Sequence, residues 1–438
     1  MQRSIRTIVA LAGVGAALTL AGCSSSGAAA SNDEWTIPTQ DPTATIRVAG
    51  HVPAGDDGLK PVLAAFAKAH PTITVKYESI PFDSLNAVLD SRIANKDGNP
   101  DVYWADMPRL AALTARGYTT DLTDQFSQFE NAWDAASSAG TTVANKLVAV
   151  PIANSTQLMF YNKDLLDAAG VAYPSDSTDE RTTWEAIAAD AKAAVGAGAT
   201  NGLVFGQFDR YYQLQPLPMS LGGSAGATGE GNLTPDVTSD AWVKAFDWYH
   251  SIFEDGTSPR GVKSEQSDPD FIAGKTAYMV EGPWFLPQLQ SSTVNWGVAP
   301  QPYFEGGKAV TPTGSWSLAM NPFSKEKEAA AIFLKFMSVD DGGWTQYALN
   351  PDLPANVDGK KLYFERPVFT TPAGTQAAAI IDYESSNTAV NRLATTGYVE
   401  FEDIMGRTFA DIRNGADAKT SLESASAELE RAWAPYTK

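Results

Sequence analysis

The sequence predicts an α/β protein built from mainly parallel sheets flanked by helices. Three observations carry this. Period-2 apolar runs alternate with period-3.6 runs from Ile46 to Trp104, in the order strand, helix, strand, helix, strand. The 438 residues suffice, even without a leader, for two or three domain-sized cores. Beyond the N-terminus no run approaches the ~18 uninterrupted apolar residues that a membrane-spanning helix needs.

Ile46-Arg47-Val48 reads as the first strand, ending at Gly50-His51-Val52-Pro53. Leu59, Val62, Leu63 and Phe66 recur at helical spacing on one face, and Pro71 closes that helix. Ile73, Val75 and Tyr77 alternate as a second strand, and Leu85, Val88, Leu89 and Ile93 mark a second amphipathic helix. Asn99-Pro100-Asp101-Val102-Tyr103-Trp104 then gives a turn and a third strand. Leu147–Ser155 is an apolar run interrupted by Pro151, after a long helical region. Thr182-Thr183-Trp184-Glu185 has the form of a capping box, with Thr182 accepting an N–H three residues on and Glu185 reaching back. From Ala241 to Phe253, Trp242, Phe246, Tyr249 and Phe253 stand at helical spacing and are assigned to a core.

Phe271–Trp284 is the most informative stretch. Gly274 fits a helix end, where a left-handed residue is needed. Thr276, Tyr278 and Val280 alternate with Ala277 and Met279 as a strand, and Gly282-Pro283 turns the chain into Trp284. One large aromatic is thereby delivered to a strand end, where open α/β sheets place their ligands. Val294–Pro302 is a further strand. Ser324 is placed to cap a helix whose Ala329, Phe333, Phe336 and Met337 share a face. The tail from Tyr398 is helical, with Leu422, Leu429 and Trp433 on one face.

The N-terminus carries its own signals. Arg3 and Arg6 precede the apolar run Ile8–Leu20, which is too short to span a bilayer, so residues 1–22 read as a secretory leader. Leu20-Ala21-Gly22-Cys23 looks like a bacterial lipobox, which makes Cys23 the acylated mature N-terminus; an ordinary leader beside an incidental thiol is the other reading. Residues 23–43 are rich in Ser, Gly, Ala, Pro and Thr and read as a flexible tether. Cys23 is the only cysteine, which excludes disulfides and Cys-ligated zinc within the chain. Net charge is −19, from 51 acidic against 32 basic residues, and this excludes nucleic acid and anionic lipid as favoured partners.

The stretch Phe271–Trp284 resembles the "F-x-x-G-K-x-A-M-x-x-x-G-P-W" signature of family 1 extracellular solute-binding proteins, with Met279 displaced by one position. Other pieces are similar in the same order. They are the helix ending His70-Pro71, Pro100-Asp101-Val102, the crossover around Pro151–Ala153, Tyr161-Asn162-Lys163-Asp164, Thr183-Trp184 and Leu353-Pro354-Ala355. The likeness runs from about residue 45 to 435. It implies a two-lobed periplasmic-binding-protein-like fold of the class II type, with hinge crossovers between lobes. The lobes are expected at 44–153 plus 314–352 and at 154–313 plus 353–438.

The resemblance also implies a monomeric, lipid-anchored, extracytoplasmic receptor that captures a sugar, of two or more units, for the permease of an ABC importer. In that family the tryptophan aligned with Trp284 stacks on a sugar ring, and the "W-A-x-D" positions map onto Trp104 and Asp106. Asp209, Tyr211 and Tyr212 fall where the family places an acid and a tyrosine against sugar, an ordinary exposed loop being the alternative for each. Asn154 and Ser155 lie in the first crossover, where some members carry a carboxylate, and Gly314 and Trp316 lie in the return crossover. Glu281 and His51 complete the candidate contacts, each ending a predicted strand; for His51 and Asp106, an ordinary loop residue stays open as the alternative. Around Tyr398, Glu400 and Glu402 the resemblance implies a further contact without choosing among them. No cofactor, metal or catalytic group is expected: there is no Gly-rich phosphate loop, no H-E-x-x-H and no G-x-S-x-G elbow. A receptor for a non-sugar solute and a carbohydrate-active lipoprotein enzyme remain the competing readings, the latter because a glycosidase needs only two carboxylates.

Overall fold

Two sheets organise the chain. The computed structural model describes residues 35–51, 56–314, 316–343 and 352–437. The expected leader, Cys23 and most of the tether lie outside the described residues, as do Val52, Pro53 and Ser315.

The first sheet orders its strands Ile73–Ser79, Ala44–Gly50, Val102–Asp106, Trp316–Met320, Val150–Pro151. Its first three strands are parallel, while Trp316–Met320 runs antiparallel to both neighbours. The second sheet orders Trp296–Pro300, Leu158–Asn162, Thr276–Glu281, Asn201–Phe205. Here Leu158–Asn162 is antiparallel to both neighbours, and Thr276–Glu281 is parallel to Asn201–Phe205. Each sheet is therefore mainly parallel with one reversed strand. The reversed strand is in each case the one entered directly from the other sheet. The other strands run toward the crossovers, and these two start there and run away.

The expected helices form for the expected reason. Asp56–Ala69 buries Leu59, Val62 and Phe66, and Phe82–Ala94 buries Leu85, Leu89 and Ile93. The capping box shifts by one residue. Thr183, not Thr182, is the N-cap and accepts the Ala186 N–H at 3.2 Å, because Thr183 is still extended and bridges to Tyr303. Glu185 instead accepts the Glu305 N–H. Ser324 likewise sits just ahead of its helix, accepting the Glu326 N–H at 3.0 Å and donating to Asp101 at 2.6 Å. Gly274 has φ +73°, as its place after a helix requires. The strand after it is buried on both faces rather than alternately, since it lies between two partners.

Residues from Leu158 to Phe304 and from Leu353 to Trp433 share one hydrophobic core around the second sheet. The C-terminal helices Tyr398–Arg413 and Ala418–Trp433 belong to it: Phe409 stacks on Phe246 at 4.7 Å, and Leu422, Leu429 and Trp433 are buried. The end of the expected tether is not free. Ile37 donates its N–H to Gln125 at 3.3 Å and Asp41 pairs with His70 at 3.0 Å, which fastens this segment to the body.

Candidate functional site

Among the described residues, the segments 152–157 and 311–314 lie side by side where the chain passes between the sheets. Asn154 rivets them together. Its Oδ1 accepts from Ser155 N (2.8 Å), Gly314 N (3.3 Å) and the Thr313 hydroxyl, and its Nδ2 donates to Asp134 at 3.2 Å. Thr311 reinforces the join, accepting the Gln157 N–H at 3.0 Å. Leu353–Pro354 pairs antiparallel with Ala153–Asn154 beside it. Asn154 is thus spent on backbone and neighbouring side chains, is 3% exposed, and does not line the cleft; the expected ligand role is replaced by a structural one.

Beside the crossovers opens a cleft of about 880 Å³. Strand ends of both sheets reach it, as the general placement of ligands in open α/β sheets requires. The first sheet contributes His51, Asp106 and Trp316, the last two facing each other in register across neighbouring strands. The His51 and Trp316 rings lie 6.4 Å apart. The second sheet contributes Glu281 at the end of its central strand and Trp284 from the single turn Pro283–Phe285 that follows. Tyr212 lies 6.3 Å from Trp284, ring to ring, and donates its hydroxyl to Ser155 at 2.7 Å. Gly314, with φ +77°, and Ser155 bring crossover backbone to the same wall.

Trp104 is not part of this wall. It shares a strand and a face with Asp106 but lies one pleat deeper, about 6–7 Å back from the strand end. There it is 1% exposed, with Tyr77 edge-on at 5.8 Å and Gly50 against its ring. It is a core residue. Tyr211 borders the cleft, but its ring is 2% exposed against Phe401 and its hydroxyl donates to the Ala225 carbonyl.

Carboxylates surround the remaining space. Burial pushes Asp209 up to about 6, opposed by Arg413 at 2.8 Å; its φ of +61° is one that Asp tolerates better than most residues. Burial also raises Asp268 to about 6. Glu281, 3% exposed, is pushed well above the usual carboxylate range by burial and then by the charge of Asp268. Its Oε1 accepts the Gly282 N–H at 2.9 Å. A Cβ on Gly206 would lie 1.6 Å from its Oε2, so that glycine leaves the space in which the carboxylate sits. Such groups present hydrogen-bond acceptors and, when protonated, donors to a polyhydroxylated solute.

Arg392 escaped the sequence reading. It follows the short strand Ala389–Asn391, which pairs parallel with Thr311–Thr313 of the return crossover. Its guanidinium grips both oxygens of Asp106, one at 2.8 Å, donates to the Gly314 carbonyl at 2.8 Å and lies 5.1 Å over the Tyr212 ring. Burial works against its charge, and the surrounding acidic groups, Asp106 foremost with Tyr398 and Glu402, together outweigh that and hold it cationic. Of the undecided trio, Glu402 lines the cleft, Glu400 faces Arg116, and Tyr398 is buried in the core.

The model of the bacterial extracellular solute-binding protein family matches residues 50–344. The chain belongs to that family. Solute-binding proteins named for oligosaccharides are among its relatives. The galactooligosaccharide-binding protein of Bacillus subtilis is 26% identical, over 68% of this chain and 70% of its own length. The maltodextrin-binding protein MdxE of the same organism is 25% identical, over 86% of this chain and 85% of its own. Two solved structures share the fold of this solute-binding protein. The GacH receptor of Streptomyces glaucescens, solved unliganded and with acarbose, superposes with TM-score 0.73 at 23% identity, covering 90% of this chain and 98% of that one. A Listeria monocytogenes ABC substrate-binding protein in complex with cycloalternan gives TM-score 0.78 at 20% identity, covering 89% and 99%. The two-lobed binding-protein architecture is thus the fold of this family member too. Among the described residues, no helix is long and apolar enough to cross a membrane and no His, Cys, Asp or Glu group is placed to hold a metal ion.

Proposed function

We propose that this solute-binding protein captures a sugar of two or more units in the cleft and hands it to the permease of an ABC importer when its lobes close. The observation that carries the reading is the pairing of Trp284 and Trp316, drawn from different sheets to one cleft with carboxylates beside them. Flat C–H faces of a pyranose pack on indole rings while its hydroxyls pair with acids and amides. The oligosaccharide names of the relatives support the same cargo class. Ten of the twelve residues named from sequence line this cavity, all but Trp104 and Asn154, and this supports the reading.

Calorimetry with maltotriose, maltotetraose and a galactotriose tests the cargo. One of them should bind, and at a hundredfold excess over its dissociation constant it should add about 2.7 kcal/mol to stability. Small-angle scattering should show the loaded protein to be at least as compact as the empty one, since contacts from both lobes favour closure. No heat with any of the three removes the cargo assignment. Release of shorter sugars on incubation would favour the enzyme reading over binding alone.

The anchor is a separate part of the reading. The lipobox Leu20–Cys23 and the Ser/Ala/Gly-rich segment after it support a receptor held to the outer face of the cell membrane by an acylated Cys23. Cys23→Ala should lose acyl labelling and partition into the soluble fraction or stay unprocessed. Normal labelling and membrane partition of the variant would end that assignment.

A further inference from the structure

Three ion pairs join the end of the third strand of the first sheet, and the turn and helix after it, to the C-terminal part of the second lobe. The first is Asp106 with Arg392, whose side chains are 13% and 7% exposed. The second is Arg109 with Glu402, at 12% and 28%. The third is Arg116 with Glu400 at 3.5 Å, where Arg116 is also shared with Asp90 at 3.4 Å and Tyr436 donates to Glu400 at 2.9 Å. In sequence the partners are 286, 293 and 284 residues apart, so only the fold aligns them. Asp106 ends a strand, Arg109 lies in the single turn after it, and Arg116 caps the C-terminus of the helix Leu110–Ala115 that follows. Arg392, Glu400 and Glu402 lie just before and within the first turns of the helix Tyr398–Arg413, which packs in the core of the second sheet.

We propose that these pairs form an interlobe latch, with Arg392 as its positioning residue, that biases the sugar-free protein toward the closed arrangement. The inference rests on the hinge-closure part of the function proposed above, and not on the identity of the cargo. Arg392 stands where the latch meets the hinge. It holds Asp106 of the first lobe while lying over Tyr212 of the second and bonding Gly314 of the return crossover. A planar guanidinium suits this position, because it grips a carboxylate with two parallel bonds and keeps a face for an aromatic ring, which an ammonium does not. Rotation of the lobes apart about the crossovers parts Asp106 from Tyr212, and Arg392 cannot then serve both. Opening therefore strips partners from charges that are mostly buried, and a partnerless buried charge is costly. A ligand that favours the closed state needs less differential affinity when that state is already well populated.

Charge exchange tests the latch without any ligand. Small-angle scattering of sugar-free protein is compared for the parent, Arg109→Glu, Glu402→Arg and the double exchange R109E/E402R, with thermal melting of each. The single variants should show a larger radius of gyration than the parent, and the exchange should return it to the parent value. A structural role in one lobe alone would lower melting temperature without expanding the molecule. Singles as compact as the parent, or an exchange as expanded as the singles, overturn the proposal. If Arg109→Glu does not fold, Arg116→Glu, Glu400→Arg and their exchange read the same latch from side chains outside the cleft lining. Failure of maltotriose, maltotetraose and galactotriose to bind would leave this result standing, so the two readings fail separately.

Discussion

Trp104→Ala should lower the stability of the protein by about 3–5 kcal/mol and leave the affinity of the folded fraction unchanged. The indole is 1% exposed and fills the space under the first sheet between Tyr77 and the backbone of Gly50, where a Cβ would come within 2.4 Å of the ring. Such close packing leaves little room to collapse, so the truncation keeps most of its cavity, and cavity volume sets the cost. Denaturant unfolding followed by circular dichroism gives the stability, and calorimetry with the oligosaccharide that the parent binds gives the affinity. Trp104→Phe should fall between the two proteins in stability. A variant that melts like the parent and binds weakly would return Trp104 to the cleft.

The same residue shows where sequence reading reached its limit. The strand Val102–Asp106 was legible, and so was the rule that ligands gather at strand ends. Depth was not. Period-2 alternation places Trp104 and Asp106 on one face, and only the rest of the sheet decides that Tyr77, two strands away, covers the first and leaves the second at the rim. Elements defined by local pattern were read well for a physical reason. A helix face such as Leu59, Val62 and Phe66 must be apolar to be buried, and a helix end such as Gly274 must tolerate positive φ. The capping position missed by one residue because Thr182 and Thr183 have the same chemistry, and a long-range bridge to Tyr303 chose between them.

Arg392 lay beyond sequence reasoning altogether. It follows a three-residue strand with no periodic signal, and the acid it serves is 286 residues away. Asn154 was located in the right crossover and given the wrong task. The segment's character was legible, whereas the four partners that consume its amide come from Asp134, Ser155 and the Thr313-Gly314 pair of the return crossover. What sequence delivered for the cleft was the set of residues that stand at strand ends and turns. What it withheld was which of their polar atoms other side chains already occupy.

Trp284 is the contrasting case, and its truncation should cost affinity rather than stability. Its ring is only partly buried, and the turn Pro283–Phe285 sets it at the rim of the cleft. The indole folds back over Gly282, where a Cβ would stand 2.2 Å from the ring, and Tyr212 flanks it at 6.3 Å with the planes 41° apart. The platform is thus oriented before any solute arrives, so little side-chain freedom remains to be lost on binding. Trp284→Ala removes a stacking face and leaves water in its place. By analogy with aromatic hot spots at interfaces the loss should be about 2 kcal/mol or more, or about thirtyfold in affinity. The melting temperature should stay near the parent's, because a partly exposed ring at the rim leaves no closed cavity behind it. Trp284→Phe, which keeps a smaller face, should recover part of the affinity, and sugar should cease to perturb most of the tryptophan fluorescence that it perturbs in the parent. Calorimetry on the two variants with the oligosaccharide the parent binds decides the matter. Parent-like affinity in Trp284→Ala, together with early melting, would make Trp284 a second Trp104, and of the two tryptophans only Trp316 would then be left to stack on sugar.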